Sequence, residues 1–286
     1  MPGRRGEELR RPGRRTGSRR RSKGGNRRGR GNSLRRIGLV VTDLDGTILR
    51  PDGSFSDATR RAFQHLRAAG IPAAFATARF HTRELARELG VPYMIRTDGT
   101  LISDAAGRVL HRRFFSADGT DRILKAILSE NPEADIAIPT LDGVYRECRP
   151  PFGKEALKIV ATLGDEKDAA QIADTFGCRA IRYRGEDRYS FLPAGAGKAE
   201  AVKALADLLE VPLSQVAAFG DDIGDIGMLK ACGIGVAVAD APDAVKAAAD
   251  FVCGACLEDG VAKWIEKAYP CGIIEEIKAP NRRKNR

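Results

Sequence analysis

The segment Asp43-Leu44-Asp45-Gly46-Thr47 places two carboxylates, two residues apart, at the end of a short apolar run. Side chains alternate along an extended strand, so residues 43 and 45 can point the same way. One carboxylate could attack a substrate while the other moves a proton. The glycine and the threonine offer backbone N–H groups and a hydroxyl to an anion. Taken alone, the same pattern also fits an ordinary polar turn at a strand end.

Three further segments with complementary chemistry follow along the chain. Thr77 ends a second apolar run, Lys198 opens an amphipathic helix after a glycine-rich loop, and a third run ends in acids that include Asp221 and Asp225. Each has an ordinary explanation: a helix cap, a solvated lysine and a polar turn. Together they favour a catalytic site, since ligands of open α/β sheets bind beyond the carboxyl ends of the strands.

The elements that must position these residues alternate between strand and helix at 37–100 and again at 193–270. This alternation predicts a Rossmann-like α/β core, with a parallel sheet and helices on both faces. Ser56 is expected to cap the first helix, and Gly70 and Gly90 to end the first two helices.

The pattern changes between residues 101 and 192, where half-exposed strands, one of them at 108–112, accompany two helical stretches. The helices are expected around 119–130 and 165–176. Segregated strands and helices predict an inserted α+β domain rather than a continuation of the parallel sheet.

Together, the four segments resemble the motifs of the haloacid dehalogenase superfamily of phosphohydrolases, and within it the Cof-type branch that is similar to sugar phosphatases. The resemblance covers residues 37–269. It implies that 101–192 is a cap domain and that 37–100 and 193–270 form a discontinuous catalytic core.

The resemblance also implies roles for the catalytic residues. Asp43 would be the nucleophile that forms an aspartyl-phosphate, and Asp45 would protonate the leaving alcohol and then activate water. Thr77 would hydrogen-bond the transferred phosphoryl group, and Lys198 would neutralise its charge. The implied phosphate-binding residues are Asp43, Gly46, Thr47, Thr77, Ala78 and Lys198.

A Mg²⁺ cofactor is implied as well, because a hard cation relieves the repulsion between a carboxylate nucleophile and a phosphate dianion. The implied metal ligands are Asp43, Asp45 through its backbone carbonyl, Asp221 and Asp225. Two departures from the branch stand out: Ala78 replaces a usual glycine, and Gly224 replaces a usual asparagine.

The predicted function is therefore Mg²⁺-dependent hydrolysis of a small phosphate monoester, such as a sugar phosphate. A phosphomutase on the same scaffold, or a phosphatase of phosphoglycolate or of a cofactor, remains open. Specificity depends on cap loops, which the sequence does not decode. A non-enzymatic alternative is an RNA-associated protein that acts through a basic tail.

The charge of this chain is concentrated at its start. Residues 1–36 carry fourteen Arg and one Lys against two Glu, a net of +13, so the other 250 residues sum to −3 of the total +10. This segment is predicted to be a disordered arm, because it has almost no apolar residues. It could bind nucleic acid in a salt-dependent way or have no partner. Residues 271–286 are expected to form a second basic tail.

The cysteines and the hydropathy pattern predict a cytoplasmic protein. Six cysteines form no dense framework, and no run of eighteen apolar residues occurs. Cys253 and Cys256 have the spacing of metal ligands, but no second such pair accompanies them. A loop with two incidental thiols is therefore the preferred interpretation over a zinc site.

Overall fold

The computed structural model describes residues 37–183 and 185–268. The basic segments at 1–36 and 271–286 lie outside the described residues, so the predictions made for them stay predictions. The described part contains two sheets, each with its own hydrophobic core.

The strands, in chain order, are β1 Leu39–Thr42, β2 Ala73–Ala76, β3 Tyr93–Arg96, β4 Leu101–Asp104, β5 Val109–Arg112, β6 Ile136–Pro139, β7 Val144–Arg146, β8 Ile159–Thr162, β9 Arg179–Arg182, β10 Arg188–Leu192, β11 Val216–Gly220, β12 Ile234–Ala237 and β13 Phe251–Val252. The helices are α1 Asp57–Ala68, α2 Arg83–Leu89, α3 Ala117–Glu130, α4 Glu166–Phe176, α5 Lys198–Leu208, α6 Ile226–Ala231, α7 Asp243–Ala248 and α8 Gly260–Ala268.

The first sheet has eight strands in the order β13-β12-β11-β1-β2-β3-β4-β5. The six strands from β13 to β3 are parallel, and β4 and β5 add antiparallel pairs at one edge. The strand β1 lies in the middle, with Leu39 opposite Val216 and Val40 opposite Ala73. All four residues of β1 are fully buried, as the apolar run predicts. The predicted parallel α/β core is confirmed.

The second sheet is antiparallel and has five strands in the order β7-β6-β8-β10-β9. Its core includes Ile123, Leu124 and Ile127 from α3, and Ile172 from α4. Both helices occur where the sequence predicts them, and α3 buries residues at the spacing of one helix face.

The strands β4 and β5 differ from the expectation, which assigned residues from 101 onward to the inserted domain. Both strands pair with the first sheet instead, since Ile95 lies opposite Ile102 and Ile102 opposite His111. The strand predicted at 108–112 therefore exists but extends the core sheet. A half-exposed strand has the same sequence pattern at the edge of either sheet, so the pattern does not distinguish the two.

The local signals at the ends of the first two helices act as expected. The Ser56 hydroxyl accepts a hydrogen bond of 2.9 Å from the backbone N–H of Thr59 and caps α1. The helix α2 ends at Gly90, which adopts the left-handed conformation. The first boundary ends the loop that follows β1, and the second begins the turn between α2 and β3.

Candidate active site

The structure brings the sequence-predicted residues together at one edge of the parallel sheet. Asp43 follows β1, Thr77 follows β2, and Asp221 follows β11, which are neighbouring strands. Lys198 is the first residue of α5 and reaches the same edge. The carboxyl edge of the sheet therefore collects residues that lie far apart in the sequence.

A buried ion-pair chain links Asp43, Lys198 and Asp225. Lys198 Nζ donates to Asp43 Oδ1 and to Asp225 Oδ1, each at 2.7 Å. The three residues are between 0% and 9% exposed. Lys198 is therefore held by two carboxylates beside the proposed nucleophile.

Burial and the neighbouring charges shift the pKa values of Asp43 and Lys198. Burial raises the pKa of Asp43 well above its usual value, although the Lys198 charge opposes the shift. For Lys198, burial alone would lower the pKa, but the charges of Asp225 and Asp43 outweigh it and raise the pKa. Lys198 therefore keeps its positive charge, which could attract an anion at this edge of the sheet.

The acidic loop after β11 is organised by Asp225. Its Oδ2 accepts hydrogen bonds from the backbone N–H groups of Asp221 and Asp222, at 3.1 and 3.0 Å. Thr47 Oγ1 donates to Asp221 Oδ1 at 2.8 Å, which ties this loop to the turn after β1. Gly46 lies in that turn with φ of 75°, and a Cβ there would stand 2.5 Å from Asp221 Oδ2. The glycine therefore permits both the turn and the close approach of the carboxylate.

The carboxylates of Asp43, Asp221 and Asp225 could hold a metal ion, because one oxygen from each lies within 4.8 Å of the others. Burial raises the pKa of Asp221 to about 6; the Thr47 hydroxyl opposes the shift, and the charges of Asp225 and Asp222 add to it. A hard divalent cation stabilises such a set, and all the donors are oxygens. The residues therefore fit Mg²⁺.

Asp45 lies at the same edge but outside the buried chain, with a side chain that is 54% exposed. Arg79 donates from Nε to Asp45 Oδ2 at 2.8 Å and from Nη2 to Asp45 Oδ1 at 2.5 Å. This bidentate pair is a contact that the sequence analysis missed. Its only signal was the position of Arg79, two residues after Thr77.

The loop after β2 joins Thr77 to the second sheet. Thr77 is buried, and its hydroxyl accepts a hydrogen bond from the backbone N–H of Arg79 at 3.2 Å. The carbonyl of Ala78 accepts one from Lys158 Nζ at 3.1 Å, and Lys158 precedes β8. The loop is therefore held by a hydrogen bond within itself and by one from Lys158.

Lys158 makes a second buried ion pair that sequence reasoning did not identify. Its Nζ lies 2.6 Å from Asp98 Oδ2 and 2.9 Å from the Tyr183 hydroxyl, and Ser190 donates to the same Asp98 oxygen at 3.3 Å. Lys158 and Asp98 are 3% and 8% exposed. Asp98 follows β3, so this pair connects the two sheets beside the edge that carries Asp43 and Thr77.

Replacing Lys158 with methionine is expected to lower the free energy of unfolding by about 3–5 kcal/mol, because Asp98 would remain buried without its cation. Urea denaturation of the two proteins measures this difference. As a control, Lys158→Met combined with Asp98→Asn should recover part of the loss, since the uncompensated charge is removed. A loss below about 1 kcal/mol for the single variant would contradict the importance of the pair.

Cys253 and Cys256 each donate a weak hydrogen bond to a backbone carbonyl, Cys253 Sγ to Gly254 at 3.4 Å and Cys256 Sγ to Leu49 at 3.6 Å. Burial raises the pKa of both thiols. Among residues 37–183 and 185–268, the aspartates above are the one group of three or more potential ligands that converge. The preference for two incidental thiols over a zinc site stays a prediction.

Comparison with known proteins assigns the family. The model of the haloacid dehalogenase-like hydrolases matches the chain over residues 40–156 and 150–265. The chain belongs to this family. Family membership confirms the resemblance identified from the motifs and the predicted enzyme class. None of the helices that the structure describes is long and apolar enough to cross a membrane.

Several relatives of this hydrolase are named phosphatases. A 5-amino-6-(5-phospho-D-ribitylamino)uracil phosphatase of Bacillus subtilis is 27% identical over 237 residues, which cover 80% of this chain and 94% of the relative. An HMP-PP phosphatase of an Enterobacter species is 29% identical over 230 residues, which cover 71% of this chain and 84% of the relative.

Solved structures of the superfamily share the fold. A phosphatase from Bacteroides thetaiotaomicron superposes with a TM-score of 0.72 at 24% identity, covering 83% of this chain and 96% of its own. A subclass IIB sugar phosphatase superposes with a TM-score of 0.69 at 19% identity, and the match covers 80% of this chain and 98% of that structure. The predicted fold class, with a second domain beside the α/β core, is therefore confirmed.

Proposed function

We propose that this hydrolase is a Mg²⁺-dependent phosphatase that acts on small phosphorylated metabolites through an aspartyl-phosphate on Asp43. The observation that carries the proposal is the buried chain in which Lys198 contacts both Asp43 and Asp225 at 2.7 Å. A carboxylate held beside a fixed ammonium suits attack on an anionic substrate, because the cation offsets the repulsion between them.

In the first half of the proposed reaction, an Asp43 oxygen forms a bond to phosphorus while the bond from phosphorus to the ester oxygen breaks. Lys198 neutralises the charge on the transferred group, and its place at the start of α5 adds the favourable end of the helix dipole. Thr77 and the backbone at Gly46, Thr47 and Ala78 are proposed to bind the phosphoryl oxygens.

Asp45 is proposed as the proton donor to the leaving alcohol and then as the base that activates water. Both of its carboxylate oxygens accept hydrogen bonds from Arg79. Asp45 must therefore release at least one of these bonds before it can act. Arg79 is proposed to fix the position of the Asp45 carboxylate between turnovers, through the two hydrogen bonds described above.

The metal would be held by Asp43 and Asp221, with the Asp45 carbonyl and Asp225 completing the set. When bound, Mg²⁺ supplies positive charge that lets a carboxylate approach a phosphate dianion. Asp225 also orients Lys198 and the Asp221 backbone, so its proposed contribution to the site is partly indirect.

The proposed substrate class rests on the relatives, which are named for phosphorylated metabolites such as HMP-PP and for sugar phosphates. Release of inorganic phosphate from a panel of metabolite phosphates tests the proposal, with the Asp43→Asn protein as control. Product analysis separates hydrolysis from the alternative of a phosphomutase, which would return the phosphoryl group to a sugar. The same panel covers phosphoglycolate and cofactor phosphates. No release from any ester would overturn the proposal.

Gly224→Asn is expected to lower the Mg²⁺ concentration that gives half-maximal activity by about tenfold, because an outer-shell amide would support the ligands. No heavy atom lies within 4 Å of a Cβ built at Gly224, so the side chain has room. Activity measured over a Mg²⁺ titration gives the result. Gly224→Ala is the matched control, since it fills the space without an amide. Equal Mg²⁺ requirements for both variants would show that another group already serves this purpose.

The arginine-rich segment lies outside the described residues, and its binding to nucleic acid stays a prediction. Such binding should weaken steeply with salt, because phosphate contacts release counterions. A cytoplasmic location is likewise proposed, on the basis of the cysteine pattern.

A further inference from the structure

A cavity of about 830 Å³ lies next to the catalytic edge, between α2 and the strands β4 and β5. Its size falls within the range of small-molecule sites, about 300–1,000 Å³. Arg79 lines it and also lines a smaller cavity of about 440 Å³ that contains Asp45 and Gly46. The two cavities therefore adjoin at Arg79, the residue that binds Asp45.

The large cavity is strongly basic. Its lining includes Arg79, Arg83, Arg87 and Arg96 but only one acid, Glu84. Arg83 and Arg87 are exposed, lie one helical turn apart on α2, and form no ion pair within the described ranges. Gly107 makes room for Arg83, since a Cβ at this position would collide with the guanidinium.

Arg96, which also lines this cavity, has no anionic partner among the described residues. Arg96 donates only to neutral oxygens, the Phe80 carbonyl at 2.9 Å and the Ser103 hydroxyl at 3.2 Å. Burial and then the nearby Arg83 charge lower the Arg96 pKa, so an anion here would be stabilised.

We propose that this cavity binds a phosphate-like oxyanion through Arg83, Arg87 and Arg96. The inference rests on the proposed function and deepens it: the preferred substrate carries a second anionic group, distant from the phosphate that is removed. Guanidinium groups recognise such oxyanions bidentately. The same chemistry would also accept a separate anion that binds alongside a monophosphate substrate.

Calorimetric titration of the Asp43→Asn protein tests the site without turnover. The probes are glucose 6-phosphate, glucose 1,6-bisphosphate and inorganic tripolyphosphate, each with Mg²⁺ present. We expect the bisphosphate to bind more tightly than the monophosphate. Adding Arg83→Gln and Arg87→Gln should reduce this preference by about tenfold, because charge-assisted hydrogen bonds are lost. Arg61→Gln is the matched control: Arg61 is an exposed arginine of α1 that lines neither cavity, and its replacement should leave the preference unchanged.

The tripolyphosphate arm identifies the source of the anion. An arginine-dependent preference for the bisphosphate over glucose 6-phosphate supports a second group on the substrate. If the bisphosphate shows no such preference, while tripolyphosphate binds alongside saturating glucose 6-phosphate in a way that depends on Arg83 and Arg87, the anion is a separate molecule. If the affinities of the bisphosphate and of tripolyphosphate are both independent of Arg83 and Arg87, the proposed site is overturned. Absence of phosphate release by the unaltered protein would instead overturn the proposed function, and the titrations would still decide the cavity.

Discussion

Replacing Asp43 with asparagine is expected to lower kcat by about three decades or more, as the removal of other covalent nucleophiles does. An amide has nearly the same volume as the carboxylate but is a poor nucleophile. Lys198 would keep its 2.7 Å contact with Asp225, so the surrounding site should stay in place. Phosphate release under substrate saturation, measured for both proteins, gives the ratio.

The stability of this variant separates chemistry from folding. Asp43 is 5% exposed, and burial penalises its charged form, so a neutral amide should not lower the free energy of unfolding greatly. Asp57→Asn, at the exposed start of α1, is the control for an aspartate-to-asparagine change away from the site. A variant at position 43 that folds normally and keeps a tenth of the original rate would remove Asp43 from the role of nucleophile.

Removing divalent metal with EDTA is expected to abolish phosphatase activity, and adding Mg²⁺ in excess should restore it. The reason is the cluster of Asp43, Asp221 and Asp225, whose oxygens lie within 4.8 Å of one another. Lys198 offsets only one of these negative charges, so the cluster would repel a phosphate when the metal ion is absent. Zn²⁺ alone should not restore activity, because the donors are all oxygens and Zn²⁺ sites usually include nitrogen or sulfur.

Asp221→Ala provides the second arm of the metal experiment. It should raise the Mg²⁺ concentration needed for activity, since Asp221 is proposed to bind the ion directly. Its pKa of about 6 reflects burial among other acids. Hydrolysis by a chelated, metal-free sample would contradict both the cofactor and the ligand assignment.

The convergence of the acids was predictable because sheet geometry requires it. Asp43 and Asp221 each follow an apolar run, and parallel strands bring their carboxyl ends to one edge. The order of the strands in the two sheets was harder to predict from the sequence. The pattern at 108–112 indicated a strand, but the choice between two sheets depends on pairing partners distant in the sequence.

The contacts of long charged side chains were not predictable. Arg79 and Asp45 are 34 positions apart, and their pairing depends on the conformations of two loops. Lys158 and Asp98 are 60 positions apart and belong to different sheets. A lysine is ordinarily a surface residue, so no pattern around position 158 predicts that this one is buried.

The contacts of Lys158 have a consequence for engineering this enzyme by domain exchange. One ammonium group joins the second sheet to Asp98 and to the carbonyl beside Thr77. If the second domain were replaced by one that lacks an equivalent cation, Asp98 would remain buried without its ion-pair partner. The loop that carries Thr77 would also lose the hydrogen bond to the Ala78 carbonyl. Chimeras designed to change substrate preference should therefore retain this lysine, or neutralise residue 98 at the same time.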